Sequence, residues 1–303
     1  MLDIKGDFMR ISKYLILFLL FISFIVYVFI RVDGGSPSRY RLRTDDIQNE
    51  IDDPLGEDVD VDILPSNIHN GYVAKPIISL DSDIDNHLNL FRKNIMELAK
   101  LYNSTYITCR PNAKSQVALT FDDGPDETFT PIIMDILDDY GITCTFFFIG
   151  ENIQRYPDIL IRAQKSGHQV ANHSLSHKRP TEISKHELIY EFESCNLILE
   201  EHSGEGTRFI RAPYGLLTID QMELIEQSNL LAIGWSIDSM DWYTDKKDEI
   251  VESVLNPIHS GAIILMHSAG GNRQATLEAL PTIIESLLQE GYTFTTVENL
   301  LKD

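Results

Sequence analysis

From Pro111 to the C-terminus, short apolar runs alternate with amphipathic stretches, and this alternation limits the folds open to the chain more than any other property. Residues 116–121, 144–149, 168–171, 208–211, 231–237, 262–266 and 292–296 read as strands, being short, apolar and bounded by turn residues. Residues 129–140, 157–165, 185–201, 219–227 and 276–289 read as helices from their apolar spacing. Strand and helix in alternation call for parallel pairing through right-handed crossovers. The expected fold class is therefore α/β, a distorted (β/α) barrel of about seven parallel strands, whose chemistry gathers in the loops beyond the strands' C-terminal ends.

Upstream, the chain changes character several times. Residues 14–30 form an uncharged run of Leu, Ile, Phe and Val, long enough at about 1.5 Å per residue to cross a bilayer core. Lys5, Arg10 and Lys13 precede it, so residues 1–13 are expected in the cytoplasm and the rest of the chain outside a cell membrane spanned once. A cleaved signal peptide is the rival reading, disfavoured because no A-x-A-like site follows. Residues 31–75 are rich in Gly, Ser, Pro and acids and read as a flexible acidic stalk. Residues 76–110 form a helical lead-in, with Ile84, Leu88, Phe91, Ile95 and Leu98 at helical spacing, and 111–303 form the main domain.

The formal net charge of −21 argues against nucleic acid as a partner and suits a neutral glycan. No obligate protein partner is evident. The three cysteines, Cys109, Cys144 and Cys195, make no metal-ribbon spacing; Cys144 reads as a small buried hydrophobe, and Cys109 and Cys195 can pair only if the fold brings them together.

Five polar clusters fall at predicted strand ends. In Thr120-Phe121-Asp122-Asp123-Gly124-Pro125, adjacent carboxylates leave an apolar strand, and alternation requires the turn to redirect one of them. In His173-Ser174-Leu175-Ser176-His177 the histidines stand at i and i+4 and share a face if the segment turns helically. Ser174 follows the first histidine where zinc proteases carry Glu, so a catalytic base must come from elsewhere, and the two aspartates are the obvious source. One carboxylate and two imidazoles suit a divalent metal, Zn²⁺ first, with Co²⁺, Ni²⁺ or Fe²⁺ as alternatives. Arg211-Ala212-Pro213-Tyr214-Gly215 offers a guanidinium to orient a carboxylate bidentately and backbone N–H groups to face an oxyanion. Asp238-Ser239-Met240-Asp241-Trp242 and Leu265-Met266-His267 complete the set. Each has a bland reading alone, as a turn, a cap or a core-edge histidine; five in a row at strand ends do not.

In this order the clusters resemble the motif set of the NodB-homology polysaccharide deacetylases, carbohydrate esterase family 4, over roughly 115–301. The resemblance implies Asp122 as general base, and Asp123, His173 and His177 as metal ligands. It further implies Arg211 positioning the base, the Tyr214 backbone N–H holding the oxyanion, and Asp241 tuning His267 as general acid. Trp242 would line the substrate groove and Leu265 would meet the acetyl methyl. No motif position is substituted. The implied activity is metal-dependent removal of N-acetyl groups from an N-acetylhexosamine polymer, with peptidoglycan N-acetylglucosamine expected from the membrane segment. Chitin or chitooligosaccharide and O-acetyl xylan are alternatives, and a metal-containing glycan-binding wall protein is the non-enzyme alternative. An aspartyl phosphatase is disfavoured because its acids are spaced D-x-D and these are adjacent.

Overall fold

The computed structural model describes residues 68–302 apart from 77 and 112, so the apolar run 14–30 and stalk residues 31–67 lie outside the described residues. Among those described, nine strands occur: β1 Tyr106–Ile107, β2 Gln116–Asp122, β3 Thr145–Phe148, β4 Gln169–Asn172, β5 Phe209–Ile210, β6 Leu231–Ile233, β7 Ile237–Asp238, β8 Ile263–His267 and β9 Thr293–Phe294. Every strand pairing is parallel, in the order β1-β6-β5-β4-β3-β2-β8-β7, with β9 beside β2. The α-helices are α1 Ser82–Leu101, α2 Phe129–Tyr140, α3 Gly150–Arg155, α4 Pro157–Lys165, α5 Lys185–Ser203, α6 Ile219–Gln227, α7 Lys247–Leu255, α8 Gln274–Gln289 and α9 Val297–Lys302.

The single strand expected over 231–237 is broken into β6 and β7, and the break explains how the sheet curls. β6 pairs with β5 and β1, while β7 pairs with β8. Between them the Gly234 N–H donates to Ile107 O at 2.8 Å, and two residues on the Ser236 N–H donates to Ile263 O at 3.0 Å. One stretch of chain thus changes neighbours midway and carries the parallel sheet round into a distorted barrel. β1, α3, α7 and α9 are not among the elements expected from the sequence; β1, α3 and α9 are six residues or shorter, too short to show a period.

Alternation along the strands separates two apolar layers. Val117, Leu119, Phe121, Phe146, Phe148, Ile264 and Met266 face outward under the helices, in a cluster with Ile133, Leu137 and Ile283. Ala118, Phe147, Ala171, Phe209, Ile263 and Leu265 take the other face, with Trp235. Two further steps of the same parity reach Asp122 from Ala118 and Ile263 gives His267; one step takes Ala171 to His173 and Phe209 to Arg211. Parallel strands end on one side, so these four polar residues emerge together at the barrel's mouth.

The lead-in helix α1 forms where the spacing predicts it, with Asp81 accepting from the Ile84 N–H at its N-terminus. Residues 71–74, assigned to the stalk from composition, are instead buried. Tyr72, Val73 and Ala74 are an apolar triplet after an acidic stretch, and the Ala74 N–H donates to Ser236 O at 2.8 Å. Cys109, Cys144 and Cys195 are buried and unpaired, so the fold does not join Cys109 to Cys195.

Candidate active site

Asp122 is the last residue of β2, and in the register it stands opposite His267, the last residue of β8. Asp123 follows with a left-handed backbone, φ 70°, and this turn sends the second carboxylate away from the first. The Asn152 side-chain amide holds that turn by donating to Asp123 O at 2.8 Å. Five of the seven non-glycine residues with left-handed φ among the described residues lie in the motif loops: Asp123, Ser174, His177, Tyr214 and Met240. Such conformations cost of order 1–3 kcal/mol each and persist where the surroundings over-determine them.

Asp123 Oδ1 lies 3.5 Å from His173 Nε2 and 3.3 Å from His177 Nε2. All three donor atoms fall within 4.8 Å of one another. Ligands about 2.0–2.1 Å from a tetrahedral ion stand about 3.3 Å apart, close to the two separations between Asp123 and the histidines, so the group is suited to hold a divalent metal. The His173 Nδ1–H donates to Arg211 O at 2.8 Å, which leaves Nε2 as the nitrogen that faces Asp123 and that a metal would take. Burial and the neighbouring His173 bring the His177 pKa down to about 4, so it is neutral, as a ligand must be. Burial would raise the Asp123 pKa, but the hydrogen bond from His173 and the nearby histidines hold it well below the usual range.

The histidines do not converge on a helical face. Residues 173–177 form a loop: the Ser174 N–H donates to Asn172 Oδ1 at 2.8 Å and the His177 N–H to Ser174 Oγ at 3.0 Å, and both Ser174 and His177 are left-handed. The buried Glu191 carboxylate of α5 accepts from the Ser176 N–H at 2.8 Å and from its hydroxyl at 2.9 Å.

Arg211 is buried and reaches Asp122 Oδ1 with Nη1 at 2.8 Å, a single contact and not the bidentate fork expected from sequence. Its other donors are committed elsewhere: Nη1 also meets Thr120 Oγ1 at 2.7 Å, Nε meets Ile233 O at 3.1 Å, and Nη2 meets Gly234 O at 3.0 Å. Tyr214 has φ 59°, and its half-exposed ring lies 4.8 Å from that of His177 and beneath the Arg179 guanidinium at 4.2 Å.

On the other side of the site, His267 Nδ1–H donates to Asp241 Oδ1 at 2.7 Å, while Asp241 Oδ2 accepts from the His267 backbone N–H and from Thr276 Oγ1, each at 2.9 Å. Burial alone would lower the His267 pKa; the Asp241 carboxylate overrides it, Asp123 adds to the rise, and the result is pushed up to about 9. Trp242 is tied through Nε1 to Asp238 Oδ1 at 3.1 Å, and Leu265 is buried two residues before His267 on the same strand face.

The structure thus brings together Asp122, Asp123, His173, His177 and Arg211 by direct contact, and seats His267 with Asp241 beside them. No described contact joins Trp242 or Leu265 to that group. Sequence reasoning missed Asn152, Asn172, Glu191, Arg273 and Thr276, and gave no role to Thr120, the first residue of its own motif. Arg273, buried, donates to Asp241 O at 2.9 Å and to Ala269 O at 2.7 Å, fixing the loop after β8. Asn172 adjoins a motif residue, a signal that could have found it; Glu191 sits among many helix acids with nothing to mark it.

The polysaccharide deacetylase family profile matches residues 110–232. The chain is 36% identical to a peptidoglycan-N-acetylglucosamine deacetylase of Bacillus cereus over 198 residues, 65% of this chain and 72% of that one. It is 37% identical to the peptidoglycan-N-acetylmuramic acid deacetylase PdaC of Bacillus subtilis over 193 residues, 64% of this chain and 40% of that one. Among solved structures, a peptidoglycan N-acetylglucosamine deacetylase in complex with an N-hydroxybenzamide superposes with TM-score 0.65 at 35% identity, covering 67% of this chain and 95% of that one. The chain belongs to the polysaccharide deacetylase family and is a polysaccharide deacetylase enzyme.

Removing the guanidinium would leave Asp122 buried without its ion-pair partner. Arg211→Met is expected to lower the unfolding free energy by about 3–5 kcal/mol, read from urea denaturation. An unchanged midpoint would show that the pair carries no such weight.

Proposed function

We propose that the protein removes N-acetyl groups from peptidoglycan N-acetylglucosamine in a metal-dependent hydrolysis, releasing acetate and leaving a free amine. The observation that carries this reading is the convergence of Asp123, His173 and His177 beside Asp122, which stands one strand over from His267. The relatives named for peptidoglycan N-acetylglucosamine support the choice of polymer.

A divalent ion held by Asp123, His173 and His177 would supply a Lewis acid that polarises the acetamide carbonyl and acidifies the attacking water. Asp122, fixed by Arg211, takes a proton from that water as its oxygen forms the new bond to carbon. The left-handed turn at Tyr214 gives a backbone N–H to the developing oxyanion, a contribution worth roughly 3–4 kcal/mol. His267, held as imidazolium by Asp241, protonates the nitrogen as the carbon–nitrogen bond breaks. Trp242, braced by Asp238, lines the groove, and Leu265 meets the acetyl methyl.

Mass spectrometry of N-acetylglucosamine oligomers and of isolated muropeptides after incubation should show loss of acetyl from the glucosamine. Chelation should abolish it, and Zn²⁺ or Co²⁺ should restore it. Loss confined to N-acetylmuramic acid would shift the substrate, and full activity in metal-free protein would end the metal reading.

Because His267 acts protonated, activity should fall as pH rises through about 9. The stability drawn from its raised pKa, whole below the unfolded value of about 6.5, should be lost over the same rise. His267→Ala should cost ~10²-fold or more on the amide, and much less on aryl acetates, whose phenolate leaves without a proton. Asp122→Asn should lose as much on both while retaining metal. Equal damage by His267→Ala on amide and activated ester would remove the general-acid assignment.

We further propose that residues 14–30 anchor the chain in the cell membrane with the catalytic domain outside; among the described residues no helix is long and apolar enough to cross one. The full chain should fractionate with membranes and resist carbonate extraction. Recovery of a soluble mature protein beginning near Gly34 would identify a cleaved signal instead.

A further inference from the structure

The family profile begins at residue 110, which leaves α1 outside it, yet α1 packs directly against the catalytic turn. Phe91 of α1 stacks on Trp235, with ring centroids 5.4 Å apart and planes 29° from parallel. Both rings press on Gly215: a Cβ there would lie 2.4 Å from Trp235 Cη2 and 2.9 Å from Phe91 Cε2 and Cζ. Gly215, φ 67°, is the second of two consecutive left-handed residues, after Tyr214 at φ 59°. A side-chain-bearing residue such as Tyr214 does not hold this conformation unaided, so something must enforce it.

The Gly215 N–H reaches Ala212 O at 3.0 Å, and the Leu216 N–H reaches Pro213 O only at 3.3 Å. The Tyr214 ring is held from above by His177 and Arg179, and the backbone beneath rests on the Phe91–Trp235 pair. α1 is in turn fixed to the barrel: buried Arg92 donates through Nε to Val73 O at 3.0 Å, and the next residue, Ala74, donates to Ser236 O at 2.8 Å, one residue past Trp235.

We infer that Phe91 is a positioning residue for the reaction: wedged with Trp235 under Gly215, it sets the Tyr214–Gly215 turn and so the direction of the Tyr214 backbone N–H. This rests on the oxyanion role proposed above for that N–H. The lead-in is therefore part of the support of the site as well as a spacer between domain and membrane segment. A donor displaced by a fraction of an ångström from the developing charge loses much of its effect, and the loss falls on the chemical step and not on substrate binding.

The test compares Phe91→Ala, Phe91→Leu and Leu98→Ala in the full chain, on an N-acetylglucosamine oligomer. Leu98 is fully buried on the same helix in the cluster with Ile95 and Tyr106, so Leu98→Ala serves as the control for lost stability. Phe91→Ala should lower kcat about tenfold or more with KM within about twofold and metal content unchanged; Phe91→Leu should recover most of the loss. Leu98→Ala should lower Tm at least as much and keep kcat within about twofold of the parent. Equal losses of kcat in Phe91→Ala and Leu98→Ala at temperatures where both are folded, or none in Phe91→Ala, overturn the positioning role alone. A parent chain that deacetylates nothing removes the proposed mechanism together with it.

Discussion

Arg211 is the residue through which the strands of the site are fixed relative to one another. Its guanidinium joins β2 through Asp122 and Thr120, and β6 and the residue after it through Ile233 O and Gly234 O. Its plane lies over the Phe147 ring of β3 at 4.1 Å, and its own carbonyl holds His173 after β4. A buried ion pair of this kind is a poor source of net stability, since apolar residues of equal volume often do as well. What an apolar replacement cannot do is aim a carboxylate and an imidazole at the same small volume.

Around that hub the charges are divided in two. Asp122 and Asp123 put two carboxylates beside His173 and His177, one of them offset by Arg211. Asp241 makes a second negative centre on the far side, and there a proton is kept on His267. Neighbouring strands stand about 4.8 Å apart, so the register that sets Asp122 against His267 brings to one edge of the sheet the two side chains that the proposed mechanism uses as base and acid.

Much of this was legible because it depends on short-range rules. Parity along β2 and β8 dictates that Asp122 and His267 share the inward face with Ala118 and Leu265, and the adjacent Asp123 had to be turned away, as its left-handed backbone does. What escaped was long-range. Glu191 meets Ser176 from fifteen residues away on α5, Thr276 meets Asp241 from α8, and Phe91 meets Gly215 from outside the repeating βα pattern. Nothing in the local sequence distinguishes a buried helix acid from its exposed neighbours. The i and i+4 spacing of His173 and His177 would place them on one face if 173–177 turned helically; left-handed residues bring the two side chains together over the same interval without a helix.

The three thiols have a consequence for a domain expected to work outside the cell. Burial pushes the Cys109 and Cys195 pKa values up to about 12 and raises Cys144 well above its ordinary value, so none exists as a nucleophilic thiolate once the chain is folded. Among the described residues the folded domain has no disulfide to lose and no exposed cysteine sulfur. Its vulnerable interval is the unfolded one, when an exported chain would show all three sulfurs to an oxidising space before β2, β3 and α5 close over them.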